Sequence, residues 1–166
     1  MMIEERLELG FATLPDATDI DGKTHTVKFD YGTEEDCHIF LNDNRDAKLG
    51  SYPLIWIETP VLTTGRLPKQ KVKLKLILAT LTVSEFTNKD RREITFKPIL
   101  NPLLENVKKF FNRSGFTKMM NTDNEKKANH FNYAVDGKNK STDIWDAITF
   151  ECELQVSSCP QREVFY

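Results

Sequence analysis

Lys71-Val72-Lys73-Leu74-Lys75-Leu76-Ile77-Leu78 is the stretch from which the rest of the chain can be read. Val72, Leu74, Leu76 and Leu78 fall on one side of an extended backbone and Lys71, Lys73 and Lys75 on the other, the period of two of a half-buried strand. The strand runs on through residues 71–82, with a solvated lysine face. Its natural counterpart lies at residues 147–157, where Ile148, Phe150, Cys152, Leu154 and Val156 alternate with Thr149, Glu151, Glu153 and Gln155. If the two strands pair, the lysines lie near Glu151 and Glu153, and cross-strand charge pairing on an exposed face accounts for the stripe better than contact with a phosphate backbone does.

The main helix is marked by Phe96, Ile99, Leu100, Leu103, Leu104, Val107, Phe110 and Phe111, an apolar stripe at the 3.6-residue period. Lys108, Lys109 and Arg113 sit toward its end, where the helix dipole favours cations, and Gly115 supplies a left-handed cap. Pro98 and Pro102 each remove a backbone donor, so the helix is expected to begin near Pro98 or to bend at Pro102. Upstream, Tyr52-Pro53-Leu54-Ile55-Trp56-Ile57 is apolar on both alternating faces, as suits a strand covered on both sides that tolerates Pro53 at its start. Val27, Phe29 and Tyr31 alternate with Lys28 and Asp30 in a strand over 24–31, and residues 37–41 read as a short strand after the turn-like Gly32-Thr33-Glu34-Glu35. Ile3, Leu7, Phe11 and Leu14 predict a short N-terminal helix, weakened by Gly10 and Pro15.

Two segments lack a clear period. Residues 59–70, with Pro60, Gly65 and Pro68, and residues 117–142, rich in Asn and Lys, read as long loops, and loops of that length tend to be functional or disordered. The chain ends in Val164-Phe165-Tyr166, an apolar terminus suited to docking on the domain or on a neighbour. Together these elements predict a single α+β domain over residues 1–166, with its core at 24–157 and a tail at 158–166. The expected architecture is a small antiparallel sheet of about four strands, packed by one long helix and a short N-terminal helix.

Bulk properties narrow the function classes. A chain of 166 residues buries one core without staples, and 39% hydrophobic against 29% charged residues is a globular balance. A net charge of -2 and a pI near 6.0 remove the basic field expected of a protein that grips nucleic acid. Cys37, Cys152 and Cys159 are odd in number and show no C-x-x-C spacing, so reduced thiols are expected in place of a disulfide framework or zinc site. No apolar run approaches membrane-spanning length, and Met1-Met2-Ile3-Glu4-Glu5-Arg6 lacks the pattern of a signal peptide, so use in a cytosol-like space is expected.

Residues that could carry chemistry are few. Cys37 and His38 are adjacent, but neighbours on a strand point to opposite faces, which separates a nucleophile from its base. His25 and His130 have no second His, Cys or carboxylate at ligand spacing and read as surface histidines. Glu34-Glu35-Asp36, Asp43 and Asp46 lack the ordered spacing and central Gly of a calcium loop. Trp56 and Trp145 have apolar neighbours and suit the core better than a stacking platform. No Gly-rich phosphate loop, G-x-S-x-G or H-E-x-x-H occurs. The expectation is a non-enzyme with no catalytic residue, no cofactor and no metal.

Four stretches nevertheless form a recognisable set: Tyr52-Pro53-Leu54-Ile55-Trp56-Ile57-Glu58, Val72-Lys73-Leu74-Lys75-Leu76-Ile77-Leu78-Ala79-Thr80, Phe96-Lys97-Pro98-Ile99-Leu100-Asn101-Pro102-Leu103 and Asp143-Ile144-Trp145-Asp146-Ala147-Ile148. Over about residues 50–157 the chain resembles the short tail-completion, tail-terminator and neck-ring (head-tail connector) proteins of tailed bacteriophages, particularly those of Bacteroidetes (crAss-like) phages. The motifs are packing motifs without catalytic logic.

The resemblance implies a small antiparallel sheet flanked by helices and assembled as a closed ring of about six or twelve copies between portal and tail, since a heterologous interface that closes on itself makes a ring. It implies a virion structural protein that is made in the host cytoplasm and resides in the tail or neck. Its partners would be copies of itself, the portal or an adjacent neck-ring protein, and a tail protein, with DNA passing through unread and no membrane involved. The two long loops and the apolar terminus make Arg66, Leu67, Lys69, Phe131, Tyr133, Val164, Phe165 and Tyr166 the interface candidates. The competing expectation is a cytosolic protein-interaction adaptor without catalytic activity. A small enzyme or a nucleic-acid binder using the lysine stripe is a third.

Overall fold

The lysine strand and the last strand pair along their whole length. The computed structural model describes residues 2–43, 52–67, 70–83, 85–120, 122–133 and 143–157. In chain order its elements are α1 (Ile3–Phe11), β1 (Ala17–Thr18), β2 (Thr24–His25), β3 (Lys28–Gly32), α2 (Glu34–Asp43), β4 (Leu54–Glu58), β5 (Leu62–Thr64), β6 (Gln70–Val83) and α3 (Asn88–Arg91). A π-helical segment (Arg92–Leu100), α4 (Asn101–Arg113), β7 (Thr117–Met119), a 3-10 turn (Thr122–Asn124), β8 (Lys126–Tyr133) and β9 (Asp143–Val156) follow. β6 and β9 run antiparallel from Gln70 opposite Val156 to Val83 opposite Asp143, which sets Lys73 against Glu153 and Lys75 against Glu151.

The fold is α+β, and its sheet is larger than the sequence predicts and is mixed. Seven strands form the order β3-β4-β6-β9-β7, with β5 also on β6 and β8 also on β9, while β1 and β2 make a separate hairpin. β4 and β5 share one side of β6; β7 and β8 share the far side of β9. The expected all-antiparallel sheet of about four strands is therefore corrected. β3 pairs with β4 in parallel, from Lys28 opposite Leu54 to Gly32 opposite Glu58.

That parallel pair also corrects the strand expected at 37–41. Parallel neighbours need a crossover connection, and residues 34–43 supply it as helix α2. Cys37 and Leu41, four residues apart, are the helix positions with no solvent exposure. Thr33 and Asp36 begin the helix by mutual capping: Asp36 N–H donates to Thr33 Oγ1 (3.1 Å) and Thr33 N–H to Asp36 Oδ2 (2.9 Å). The expected strand over 24–31 divides into β2 and β3, and parts of both expected loops are strands: β5 within 59–70, and β7 and β8 within 117–142.

Each face of the β6–β9 pair has its own core. On one side Val72, Leu74, Leu76, Leu78, Ile148, Phe150 and Leu154 pack against Leu7 and Phe11 of α1 and against Phe96, Leu100, Leu104, Val107 and Phe111 of the long helix. On the other, Ile77, Ala79, Trp145, Ala147 and Trp56 meet Cys37 and Leu41 of α2. Both tryptophans are buried, as the sequence suggests, and their indole N–H groups tie the ends of α2: Trp56 donates to Gly32 O (3.1 Å) and Trp145 to Leu41 O (3.0 Å). Gly10 does more than weaken α1, because a Cβ there would lie 2.0 Å from the Phe110 ring, so its bare backbone is what lets the two helices approach.

The long helix begins earlier than Pro98. Thr87 and Asp90 cap α3 as Thr33 and Asp36 cap α2, and the π segment joins α3 to α4. Pro98 falls in the π segment, whose wider winding reaches carbonyls five residues back, as Asn101 N–H does to Phe96 O. Pro102 lies in the first turn of α4, and Gly115 has φ 75 just after its end.

Where the π segment meets the sheet, a polar group is sealed in. Arg91 and Asp146 are 4% and 0% exposed, their Nη1 and Oδ1 atoms 3.5 Å apart, and Thr95 Oγ1 lies 2.8 Å from Asp146 Oδ2. Removing one partner of a buried pair strands the other charge in a medium that cannot solvate it. Asp146→Ala is expected to lower unfolding free energy by about 3–5 kcal/mol in urea titration, and the paired Arg91→Met/Asp146→Leu variant to recover most of it. A loss below about 1 kcal/mol would show that the pair contributes no more than a surface contact.

Candidate functional site

Among the described residues, cover on the second face of the sheet extends over only half its length. α2 lies over the end that carries Ile77, Ala79, Trp145 and Ala147, and the other end carries the lysines of β6 and the glutamates of β9. A groove of about 460 Å³ opens there, lined among others by Glu58, Leu62, Lys73, Lys75, Lys126 and Glu151. Its charges are largely matched. Lys75 Nζ lies 2.5 Å from Glu58 Oε2 and 3.6 Å from Glu34 Oε2, Lys71 lies 3.7 Å from Glu153, and Lys126 lies 3.9 Å from Glu151. The cross-strand account of the lysine stripe holds for Lys71 with Glu153, whereas Lys75 takes Glu58 and Glu34 as its partners. The hydrogen bond that Lys75 donates to Glu58 raises the Lys75 pKa despite partial burial, so this amine stays charged and is no base or nucleophile.

At the border between groove and α2, side chains from four elements meet. Tyr133 OH donates to Glu34 Oε1 (3.1 Å), and its ring meets His38 edge-on at 5.0 Å and His130 at 5.4 Å. His130 Nε2 is 2.9 Å from Thr149 Oγ1, and His38 Nε2 is buried with no hydrogen-bond partner among the described residues. His130, which reads from sequence as an isolated surface histidine, and His38 are thus neighbours of one tyrosine. The third, His25, lies 2.8 Å from Asp19, a carboxylate six residues earlier, and this hydrogen bond, with the Lys23 N–H, lowers the Asp19 pKa.

Cys37 and Tyr133, at this border, are held in their protonated forms. Burial, reinforced by Glu34, pushes the Cys37 thiol up to about 12, and burial also raises the Tyr133 phenol, again with Glu34 adding to it. A thiolate nucleophile needs the opposite shift. Cys152, on the other face, is pushed to about 12 by burial and by Glu125. Among the described residues no three His, Cys, Asp or Glu side chains converge as a metal site, and no helix is long and apolar enough to cross a membrane.

The interface candidates fall in different settings. Arg66 and Leu67 are exposed beside β5, where Leu62 is 60% exposed. Phe131 is half-buried against Phe96 at 5.2 Å, and Tyr133 is 8% exposed in the α2 core, so both already serve the domain's own packing. Lys69, Val164, Phe165 and Tyr166 lie outside the described residues. From sequence, β8 reads as part of a loop and the acidic start of α2 as a turn. The Thr33-x-x-Asp36 capping pair was the signal for the latter. No protein-family model and no curated protein matches the chain.

The buried thiols set a pH window. An unfolded thiol ionises near 9.0 and a folded one near 12, so the unfolded chain holds fewer protons across that interval and stability declines as pH rises through it. Urea midpoints are expected to fall between pH 9 and 12 by less in a Cys37→Ser/Cys152→Ala variant than in the parent chain. At about pH 8 neither thiol should react with an aromatic disulfide reagent until the chain unfolds. Fast labelling of either in the folded protein contradicts the burial.

Proposed function

We propose that this protein is a virion structural subunit that forms an oligomeric ring at the portal-tail junction of a tailed bacteriophage, as a neck, tail-completion or terminator ring, and joins head to tail by binding alone. The observation that carries this reading is the half-face of the sheet that the described residues leave open: a surface on which Lys71 and Lys75 pair with glutamates, bordered by exposed Leu62 and Leu67, next to a thiol and a phenol whose pKa shifts oppose catalysis. Exposed apolar residues beside paired charges suit a protein partner, since interfaces combine an apolar centre with a polar rim. Lysines already paired with glutamates have little positive potential left for a phosphate backbone, in keeping with DNA that passes without being read.

A second support is where the phage-like stretches fall. The first, second and fourth lie in β4, β6 and β9, adjacent in the sheet, and the third is the helix packed on them. The strings that carry the resemblance therefore form one packing unit. On this reading the subunit is made in the host cytoplasm and resides in the virion neck or tail, in contact with copies of itself, the portal side and the tail side.

Light scattering over a concentration series tests the proposal. The expected result is a closed species of about six or twelve copies that grows with concentration and binds duplex DNA no more tightly as salt is lowered. A strict monomer at every concentration would favour the adaptor reading, and salt-dependent DNA binding would favour the nucleic-acid reading.

A further inference from the structure

Among the described residues β3, β5, β7 and β8 each have a partner on one side only, and the two longest of these edges are β3, five residues paired with β4, and β8, eight residues paired with β9. In β3 the backbone groups of Lys28, Asp30 and Gly32 turn toward β4, as Lys28 N–H to Pro53 O (2.8 Å) and Thr59 N–H to Gly32 O (2.8 Å) show. Phe29 and Tyr31 therefore turn theirs outward, where in the single chain the Tyr31 N–H donates to Asp30 Oδ1 (2.8 Å). β8 has eight residues, and residues 126–129 are exposed. Such edges are templates for pairing with another chain unless they are covered.

Direction and chemistry make the two edges complementary. β3 is parallel to β4, and β4 to β6, β6 to β9 and β9 to β8 are each antiparallel, so β8 runs opposite to β3. Two copies side by side in the same orientation would place β8 of one against β3 of the next as an antiparallel pair. That direction brings Lys126 and Lys127, at the start of β8, to the end of β3, where Glu34, Glu35 and Asp36 open α2. On the α2 face Lys126 and Ala128 then adjoin Gly32 and Asp30, and on the helix face Lys127 and Asn129 adjoin Tyr31 and Phe29.

We infer that the partner at these edges is a second copy of this chain, joined head to tail by antiparallel pairing of β8 with β3, so that the sheet continues from subunit to subunit. The inference rests on the ring reading and supplies its lateral contact. Because the two edges differ, the junction is heterologous and repeats until it closes. It also gives a use to β8, a polar strand that contributes only Phe131 and Tyr133 to the cores.

The test uses the full chain with Cys159→Ser, carrying Tyr31→Cys, Asn129→Cys or both, treated at assembling concentration with a short bismaleimide that spans direct and diagonal ladder neighbours. The expected result is a ladder of covalent oligomers from the double variant and none from either single variant. Covalent dimers from a single variant would overturn the inference in favour of a two-fold junction. A particle that assembles by light scattering yet gives no ladder would overturn it while leaving the ring reading standing, and a chain that stays monomeric would overturn both. As an independent check, Lys126→Glu/Lys127→Glu should weaken association roughly tenfold with unchanged circular dichroism, and unchanged association contradicts the proposed edge.

Discussion

The fourteen-residue ladder between β6 and β9 is the constraint on which the rest of the molecule depends. Strands of period two have two faces, and a pair this long presents more surface than one helix can cover. The long helix and α1 cover one face, while α2, held at both ends by tryptophan indoles, covers only the half of the other where the odd-numbered positions turn apolar at Ile77 and Ala79. Where the same positions are Lys71, Lys73 and Lys75, the described residues leave the face open, with Lys71 and Lys75 paired to glutamates and Lys73 opposite Glu153. One alternation, switching its odd face from lysine to apolar residues midway, sets where the core stops and where the working surface begins.

The length of the ladder also fixes the edges. Each long strand has room on its outer side for two shorter ones, β4 and β5 beside β6, and β7 and β8 beside β9. β3 then attaches in parallel through the α2 crossover, which leaves the sheet with ends of different character: a short aromatic strand followed by an acidic helix start, and a longer polar strand that opens with two lysines. On the proposed reading as a ring subunit, these ends would be the two unlike surfaces that a heterologous interface needs. Near this face Cys37 and Tyr133 are held in their protonated forms by burial and nearby carboxylates, and Lys75 by Glu58 and Glu34 against its partial burial.

What the sequence made legible follows one physical rule. Elements with one buried and one solvated face advertise their period, so β6, β9 and the α4 stripe could be read directly, and so could the apolar β4. Three kinds of element hide. Residues 37–41 are too few to separate a period of 3.6 from one of 2, and only the Thr33–Asp36 capping pair distinguishes helix from strand. β5 and the first half of β8 are exposed on an edge and have no hydrophobic alternation to show, so they read as loop. The π segment surrounds Pro98, and its widened winding leaves no trace in composition. The candidate site was partly visible through the lysine stripe and its glutamate partners. The meeting of His38, His130 and Tyr133 depends on α2 crossing the sheet, a tertiary fact that spacing along the chain cannot carry.

Hydrogen exchange read by mass spectrometry, on dilute and concentrated protein side by side, tests the central claim most directly, because it follows the ladder and both edges in one experiment. The account predicts slow exchange across Gln70–Val83 and Asp143–Val156 at both concentrations, with further protection at concentration confined to Lys28–Gly32 and Lys126–Tyr133. Concentration-independent exchange at those two edges, or added protection elsewhere while they remain unchanged, would contradict it.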